Sequence, residues 1–301
     1  MSIQTRGDAQ RELQAGIDEI AGLRMKMYEP QWKAFLTEKT DDSAYATEEY
    51  KSTLGIAQLK PEGSEYFTDV SRQLYVGQYT HSVYGIGVEI TEEAIDDNKY
   101  LNPMKEAGMY IADSLMEVEQ VIAADLINSG YATTLAKDGQ FIFDTDHPLA
   151  SGTFSNKLSA YQSLSEASLE DVCIAIGKFQ NAAGLKTNVR PQGLCGPVDL
   201  QFTMDRLINS KLQAETGNNA INAVSKMFSK GYSVNNYFTD TGQWFVTTDA
   251  KNGGNFYRRS PHTFQTDNSN TNTGNYRHIG KTRFSVGVTD PRFGYGSGAS
   301  A

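Results

Sequence analysis

Residues 101–130, "LNPMKEAGMYIADSLMEVEQVIAADLINSG", constrain the fold more than any other stretch. Leu101, Met104, Gly108, Ile111, Leu115, Val118, Ile122 and Leu126 recur at spacings of three and four. That period places them on one face of an α-helix. Asn102 is read as its N-cap, with Pro103 at the first helical position. Gly130 is read as a left-handed C-terminal stop. From Met104 to Ser129 such a helix runs ~40 Å at its usual rise per residue. A narrow apolar stripe along so long a rod needs a sheet to lie on. A coiled coil is the rival, but a single such helix sits here between strand-like segments.

The flanks supply those strands. In residues 66–90, Val76, Gln78, Thr80, Ser82, Tyr84, Ile86, Val88 and Ile90 fall on one face with period two. The first half of that face is polar and the second apolar, so the strand begins in solvent and ends in a core. Paired with residues near 58–70, it would form a long projecting hairpin. An isolated hairpin is marginal in water, so the outer half needs something else to rest on. Upstream, residues 8–40 carry a thin helical stripe (Leu13, Ile17, Ile20, Leu23, Met27), followed by a polar extended arm.

Downstream, Phe141–Phe143 reads as a short strand entering a Pro148 turn. A second helix follows, with Ser168 as cap and a stripe of Leu169, Val172, Ile176 and Phe179. Then come a strand end at Gly196-Pro197 and a helix carrying Leu200, Met204, Leu207 and Ile208. An Asn- and Ser-rich loop at 211–236 and a strand at "QWFVTTD" are next. Residues 250–276 read as mostly loop, before a final strand bearing Phe284, Val286 and Val288. The class is α+β. Its long excursions are unusual in a compact enzyme and suit a subunit that reaches across neighbours.

Chemistry is sparse. The net charge is -9, and the longest basic cluster is Arg258-Arg259. A protein that grips phosphates would show a basic face, so this pair is read as solvated or as a subunit contact. Cys173 and Cys195 form no CxxC and read as buried thiols in a reducing setting. The first residues lack the basic-then-apolar pattern of a secretory signal. No run approaches ~18 apolar residues, so no membrane partner is expected.

The sharpest candidate is "FDTDHPLAS" at 143–151, with Asp144, Asp146 and His147. A metal or acid–base site needs converging ligands. On a strand, Asp144 and Asp146 share a face while His147 points away. The other histidines, His81, His262 and His278, lie in the hairpin and in or beside the polar loop, and no HExxH is present. The competing reading is a turn in which the carboxylates bond backbone N–H groups and Pro148 fixes the exit. The Gly-rich 294–300 precedes no helix. Gly85-Ile86-Gly87 lacks the rest of a dinucleotide fingerprint, and there is no GxSxG. No catalytic, cofactor-binding or metal residue is therefore expected. A metal-dependent hydrolase centred on Asp144, Asp146 and His147 is kept as the rival from another class.

Several phrases occur in a telling order: Phe143-x-Thr145-x-His147-Pro148, Leu164-Ser165-x-x-Ser168-Leu169, Gly196-Pro197, Tyr237–Asp240, Trp244–Val246 and "RFSVGVTDPRFGYGS" at 283–297. Over roughly 50–298 the chain resembles the tailed-phage major capsid proteins, most closely the Mu-like major head subunit group. The resemblance implies a Hong Kong 97-like fold. Residues 1–57 would be an N-terminal arm and 58–88 an extended β-hairpin loop. Residues 89–165 and 276–301 would form a peripheral domain with spine helix 103–129, and 166–275 an axial domain. It further implies hexamers and pentamers closing an icosahedral shell around double-stranded DNA, without catalysis, in a virion assembled in the host cytoplasm. The implied partners are other copies, a portal, a separate scaffolding protein, optional decoration proteins, and packaged DNA without specific binding. The acidic balance suits a shell that must release its genome. An encapsulin-type compartment is the rival within the fold. Some relatives cross-link through Lys and Asn; Lys60 lies in the expected loop, but no motif around it supports that transfer.

Overall fold

The computed structural model describes residues 19–71, 73–91, 93, 101–149, 152–212, 221–251, 253–267 and 275–297. A helical segment at 19–27 (α1) leads through a 3-10 turn at Gln31–Ala34 into β1 (Thr37–Thr40) and β2 (Tyr45–Lys51). β3 (Gln73–Thr80), β4 (Ser82–Ile90) and the long helix α2 (Leu101–Asn128) follow. Next are the two-residue strands β5 (His147–Pro148) and β6 (Thr153–Phe154), helix α3 (Glu166–Gly177), β7 (Pro191–Pro197) and α4 (Gln201–Asn209). The chain ends its described course with β8 (Gly231–Asn235), β9 (Phe245–Thr248), β10 (Gly254–Asp267), β11 (Tyr276–Val288) and β12 (Gly294–Gly296).

Two four-stranded sheets organise these elements. One has the order β1-β10-β11-β4 and carries α2; the other has the order β12-β9-β7-β8 and packs against α3 and α4. The stripe on α2 does meet the first sheet. Ile111 and Leu115 are buried, and Ala107, Ala112, Ala123 and Ala124 widen the buried face. These alanines let helix and sheet approach closely. A row of rings runs from the entering chain across three strands of that sheet, β10, β11 and β4: Trp32 stacks on Phe256 (4.2 Å), Phe256 on Phe284 (4.8 Å), and Phe284 packs on Tyr84 (4.8 Å). In the second sheet, Trp244, Leu169, Val172, Ile176 and Met204 form a separate core. Phe143, Phe245 and Phe293 pack together between the two, with centroids 5.5–5.6 Å apart.

Several expectations change. α2 is already under way at Leu101, so Asn102 and Pro103 lie within it and Asn102 is not its cap. Gly130 is not among the left-handed glycines. A Cβ there would sit 3.0 Å from the Leu126 carbonyl and 3.3 Å from the Ile142 Cβ. It is small because the chain crosses the helix end at that point. Phe141–Phe143 forms no strand. Phe141 makes one isolated bridge to Leu135, while Ile142 and Phe143 hang their N–H groups on the carbonyls of Thr134 and Gly130. The cap of α3 is Ser165, with Ser168 as its reciprocal partner: Ser168 N–H donates to Ser165 Oγ, and Ser165 N–H to Ser168 Oγ.

Strand pairing changes most. β3 pairs with β2, not with residues 58–70, and β4 leaves the hairpin to pair with β11. The "loop" at 250–276 contains the 14-residue β10, whose ladder to β11 is broken by register shifts around Arg258–Thr263. Pro261 sits in that irregular stretch, where a missing N–H is tolerated. Within the Asn-rich 211–236, β8 runs parallel to β7. The arm's Leu13 and Ile17 and the Asn/Thr-rich 268–274 fall outside the described residues.

Gly287 tests how tightly the hairpin meets this sheet. A Cβ there would lie 1.9 Å from Tyr79 Cε1. Gly287→Ala is expected to cost about 1–3 kcal/mol in denaturant unfolding, as overpacking does. Gly177→Ala, where a Cβ meets nothing within 4 Å, is the control and should not destabilise.

Candidate functional site: the corner and the root of the hairpin

The corner at 143–151 is built around His147, whose ring is fully buried. Its Nδ1 lies 2.6 Å from Asp138 Oδ2 and its Nε2 3.0 Å from Asn156 Oδ1, and the ring stacks on Phe154. Asn156 is the hub. Its Nδ2 donates to the carbonyls of Ile142 and Pro291, each at 2.8 Å. Its Oδ1 accepts the Asp144 N–H at 2.8 Å. Its own backbone exchanges hydrogen bonds with Asp144 and Gly296. One side chain thus ties the corner to the segment between β11 and β12.

Asp144 Oδ1 accepts the Thr145 N–H at 2.6 Å, the turn bond expected for it. Asp146 is exposed and takes a 3.4 Å hydrogen bond from Thr145 Oγ1. Asp144, Asp146 and His147 do not converge, and both ring nitrogens of His147 already face protein oxygens. Among the described residues no group of three or more His, Cys, Asp or Glu is placed to hold a metal. Asp138 and Asn156, which do the holding, were not foreseen. Asp138-Gly139 was a legible turn signal, since Gly139 is left-handed. Asn156 gave none.

The second constellation lies where the β2–β3 hairpin joins the body. Tyr50 stacks on Tyr75 at 4.8 Å, and Tyr79 on Tyr257 at 5.2 Å. Arg292 forks onto Asp290 (2.6 and 2.9 Å) and donates to Tyr50 Oη at 2.5 Å. Tyr75 Oη donates to the Thr289 carbonyl, and Tyr79 Oη lies 2.9 Å from Thr289 Oγ1. Lys137 places its ammonium 4.5 Å from the Tyr79 ring. Burial, with the Asp290 charge, pushes the Tyr50 phenol up to about 12; burial pushes Tyr79 to about 12 as well. Both stay neutral at any physiological pH. The root is therefore rigid, while the tip beyond it exposes Leu54, Ile56, Leu59, Tyr66, Phe67 and Val70. Lys60, at that tip, sits 4.2 Å from the Tyr66 ring.

A third cluster corrects the reading of Arg258. Its guanidinium forks onto the buried Glu119 of α2 (2.7 and 3.0 Å) and reaches Glu38 at 2.6 Å, with His262 Nε2 2.9 Å from Glu119. It is an internal brace between β1, β10 and the helix, neither solvated nor free for a neighbour. Arg259 does face outward, 3.7 Å from the exposed Asp42. His81 is buried beside Ser285 and Asp41, and burial lowers its pKa. Burial raises the Cys173 and Cys195 thiols to about 11 and about 12, which keeps them inert.

Two predictions follow from these contacts. Asn156→Ala strands buried donors and acceptors at roughly 1–3 kcal/mol each, so denaturant unfolding should register a loss of at least ~3 kcal/mol; Asp146→Asn should stay within about 0.5 kcal/mol. Burial alone would raise the Glu119 carboxyl, but the hydrogen bonds from His262 and Arg258 overcome it and hold the pKa below its ordinary value. A depressed carboxyl contributes stability above its unfolded pKa and loses it as pH falls through the folded pKa. Glu119→Gln should therefore lower the melting temperature at neutral pH and flatten the acid side of the stability–pH profile.

A family model described as "Phage capsid protein" matches residues 76–297, which is most of the chain. No curated protein matches it by sequence. Among solved structures, the capsid of an empty GTA particle aligns with a TM-score of 0.57 at 10% identity, covering 88% of each chain. The virus-like particle of Pyrococcus furiosus aligns at 0.53 and 8% identity, over 94% of this chain and 98% of that one. The procapsid of bacteriophage JBD30 aligns at 0.52 and 14% identity, over 99% and 77%. At such identities the likeness is one of fold, the Hong Kong 97-like α+β capsid fold. The family is one of structural proteins, not enzymes. The spine helix laid on a long-stranded sheet, the rooted hairpin and the family match agree, and the chain belongs to the phage capsid protein family.

Proposed function

We propose that this chain is the major head subunit of a tailed phage of the Mu-like group, assembling as hexamers and pentamers into an icosahedral shell around double-stranded DNA. The observation that carries this reading is the hairpin: a rigid, tyrosine-clamped root holding out a tip whose apolar side chains are exposed. Leu59 is 92% exposed and Tyr66 77%. Apolar patches of this kind mark interaction sites, and a neighbouring copy is the partner that a shell supplies. In the terms of the fold, residues 45–80 serve as the extended loop and the sheet carrying α2 as the peripheral domain. The β12-β9-β7-β8 sheet with α3 and α4 serves as the axial domain. A portal and a separate scaffolding protein complete assembly, with decoration proteins optional. Packaged DNA meets an acidic subunit that does not grip it. A cellular compartment shell would share the fold; the match to a phage capsid family favours the virion.

Purified protein should form rings or closed shells by negative-stain microscopy. Replacing 54–70 by a short Gly-Ser link spares both strands of the root. It should leave melting within a few degrees of wild type and abolish closed shells. Shells of normal yield from the shortened protein, or a wild type that stays monomeric, would sink the reading.

A further inference from the structure

Within a chain of net charge -9, one cavity is lined by four lysines and, among the described residues, by no carboxylate. It has a volume of about 380 Å³ and opens between the stretch entering β1, the turn before β8 and the β9–β10 connection. Lys33, Lys39, Lys230 and Lys251 line it, with Thr248 and Asn255. Lys39 is held by Glu48 at 2.6 Å, and Lys33 lies 3.7 Å from Glu38, but neither carboxylate faces the cavity. Among the described residues, Lys230 and Lys251 have no acidic partner. Several other cations in the described residues are paired: Arg24 with Asp113, Lys51 with Glu49, Arg258 with Glu119, Arg277 with Glu89 and Arg292 with Asp290. A cavity with two unpaired lysines beside two paired ones, and no carboxylate in its lining, is a site for an anion in an acidic protein.

We propose that this cavity receives carboxylate side chains of a second copy of the chain and so binds subunits together, an inference that rests on the shell reading. Copies of charge -9 repel when crowded into a shell, and contact requires that positive potential meet negative. Each copy offers exposed carboxylates; Glu62 and Glu65 on the hairpin tip are free of ion pairs among the described residues. A nucleic-acid phosphate is the competing anion. The overall acidic charge repels a polyanion, whereas it is the source of the carboxylates.

The test compares full-length wild type, Lys230→Glu/Lys251→Glu and Lys230→Arg/Lys251→Arg. Light scattering and negative-stain microscopy follow assembly from about 50 mM to about 500 mM salt, a range over which screening of such contacts changes strongly. The expected result is wild-type assembly that weakens with salt, and a Glu variant with unchanged circular dichroism and melting that yields roughly tenfold fewer particles or none. The Arg variant should assemble like wild type, because charge alone is required. Should the Glu variant fail to fold, the Gln pair carries the same reading with a smaller loss. Particles at wild-type yield and salt dependence from the Glu or Gln pair would overturn the proposal and leave the shell reading standing. So would a labelled short DNA duplex that binds wild type and not the Glu pair, which would assign the cavity to phosphate. A wild type that forms no particle at any salt would overturn both.

Discussion

The eight residues Thr289–Gly296 hold the other parts in register. Thr289, Asp290 and Arg292 clamp the tyrosines at the root of the hairpin. The Pro291 carbonyl accepts from Asn156 and so fixes the corner after α2. Phe293 packs on Phe143 where the two cores meet, and Gly294–Gly296 adds a strand to the second sheet. A short segment that must satisfy a hairpin, a corner and two cores has little freedom to vary in shape. Gly296 shows how little: a Cβ there would come within 2.1 Å of the Tyr131 hydroxyl.

Charge is handled in two ways. Inside, the Arg258–Glu119–Glu38 brace and the Arg292–Asp290 fork are partly buried and richly hydrogen-bonded. Such pairs add little net stability over apolar replacements but are costly to break singly, so their role is to fix geometry. Outside, the surplus of acid keeps copies apart in solution until attractive contacts outweigh it. A subunit that must stay soluble and later assemble has use for both.

The sequence made the spine helix legible because its period of three and four persists over seven turns. Its ends were less so: Gly130 looked like a stop signal yet is small to admit Ile142. The hairpin partner is hidden in the sequence because β2, "YATEEYK", buries only Ala46 fully and otherwise shows mostly polar residues. β10 leaves no clear period-two signal because Arg258-Arg259-Ser260-Pro261-His262 interrupts its alternation just where the ladder is irregular. At the corner, Asp144 behaved as a turn residue should, but the partners of His147 lie nine residues away on either side. No periodic pattern encodes contacts of that kind.

The root of the hairpin also bears on when a subunit becomes whole. Tyr50 and Arg292 meet across 242 residues of sequence, and β1 lies beside β10. Contacts so distant form late, after the intervening loops have closed. A nascent chain makes its hairpin early yet cannot anchor it until residues 289–292 have been synthesised. The order of synthesis thus acts as a check on completeness: a truncated chain lacks the clamp that holds its hairpin in place and is poorly equipped to enter a growing lattice.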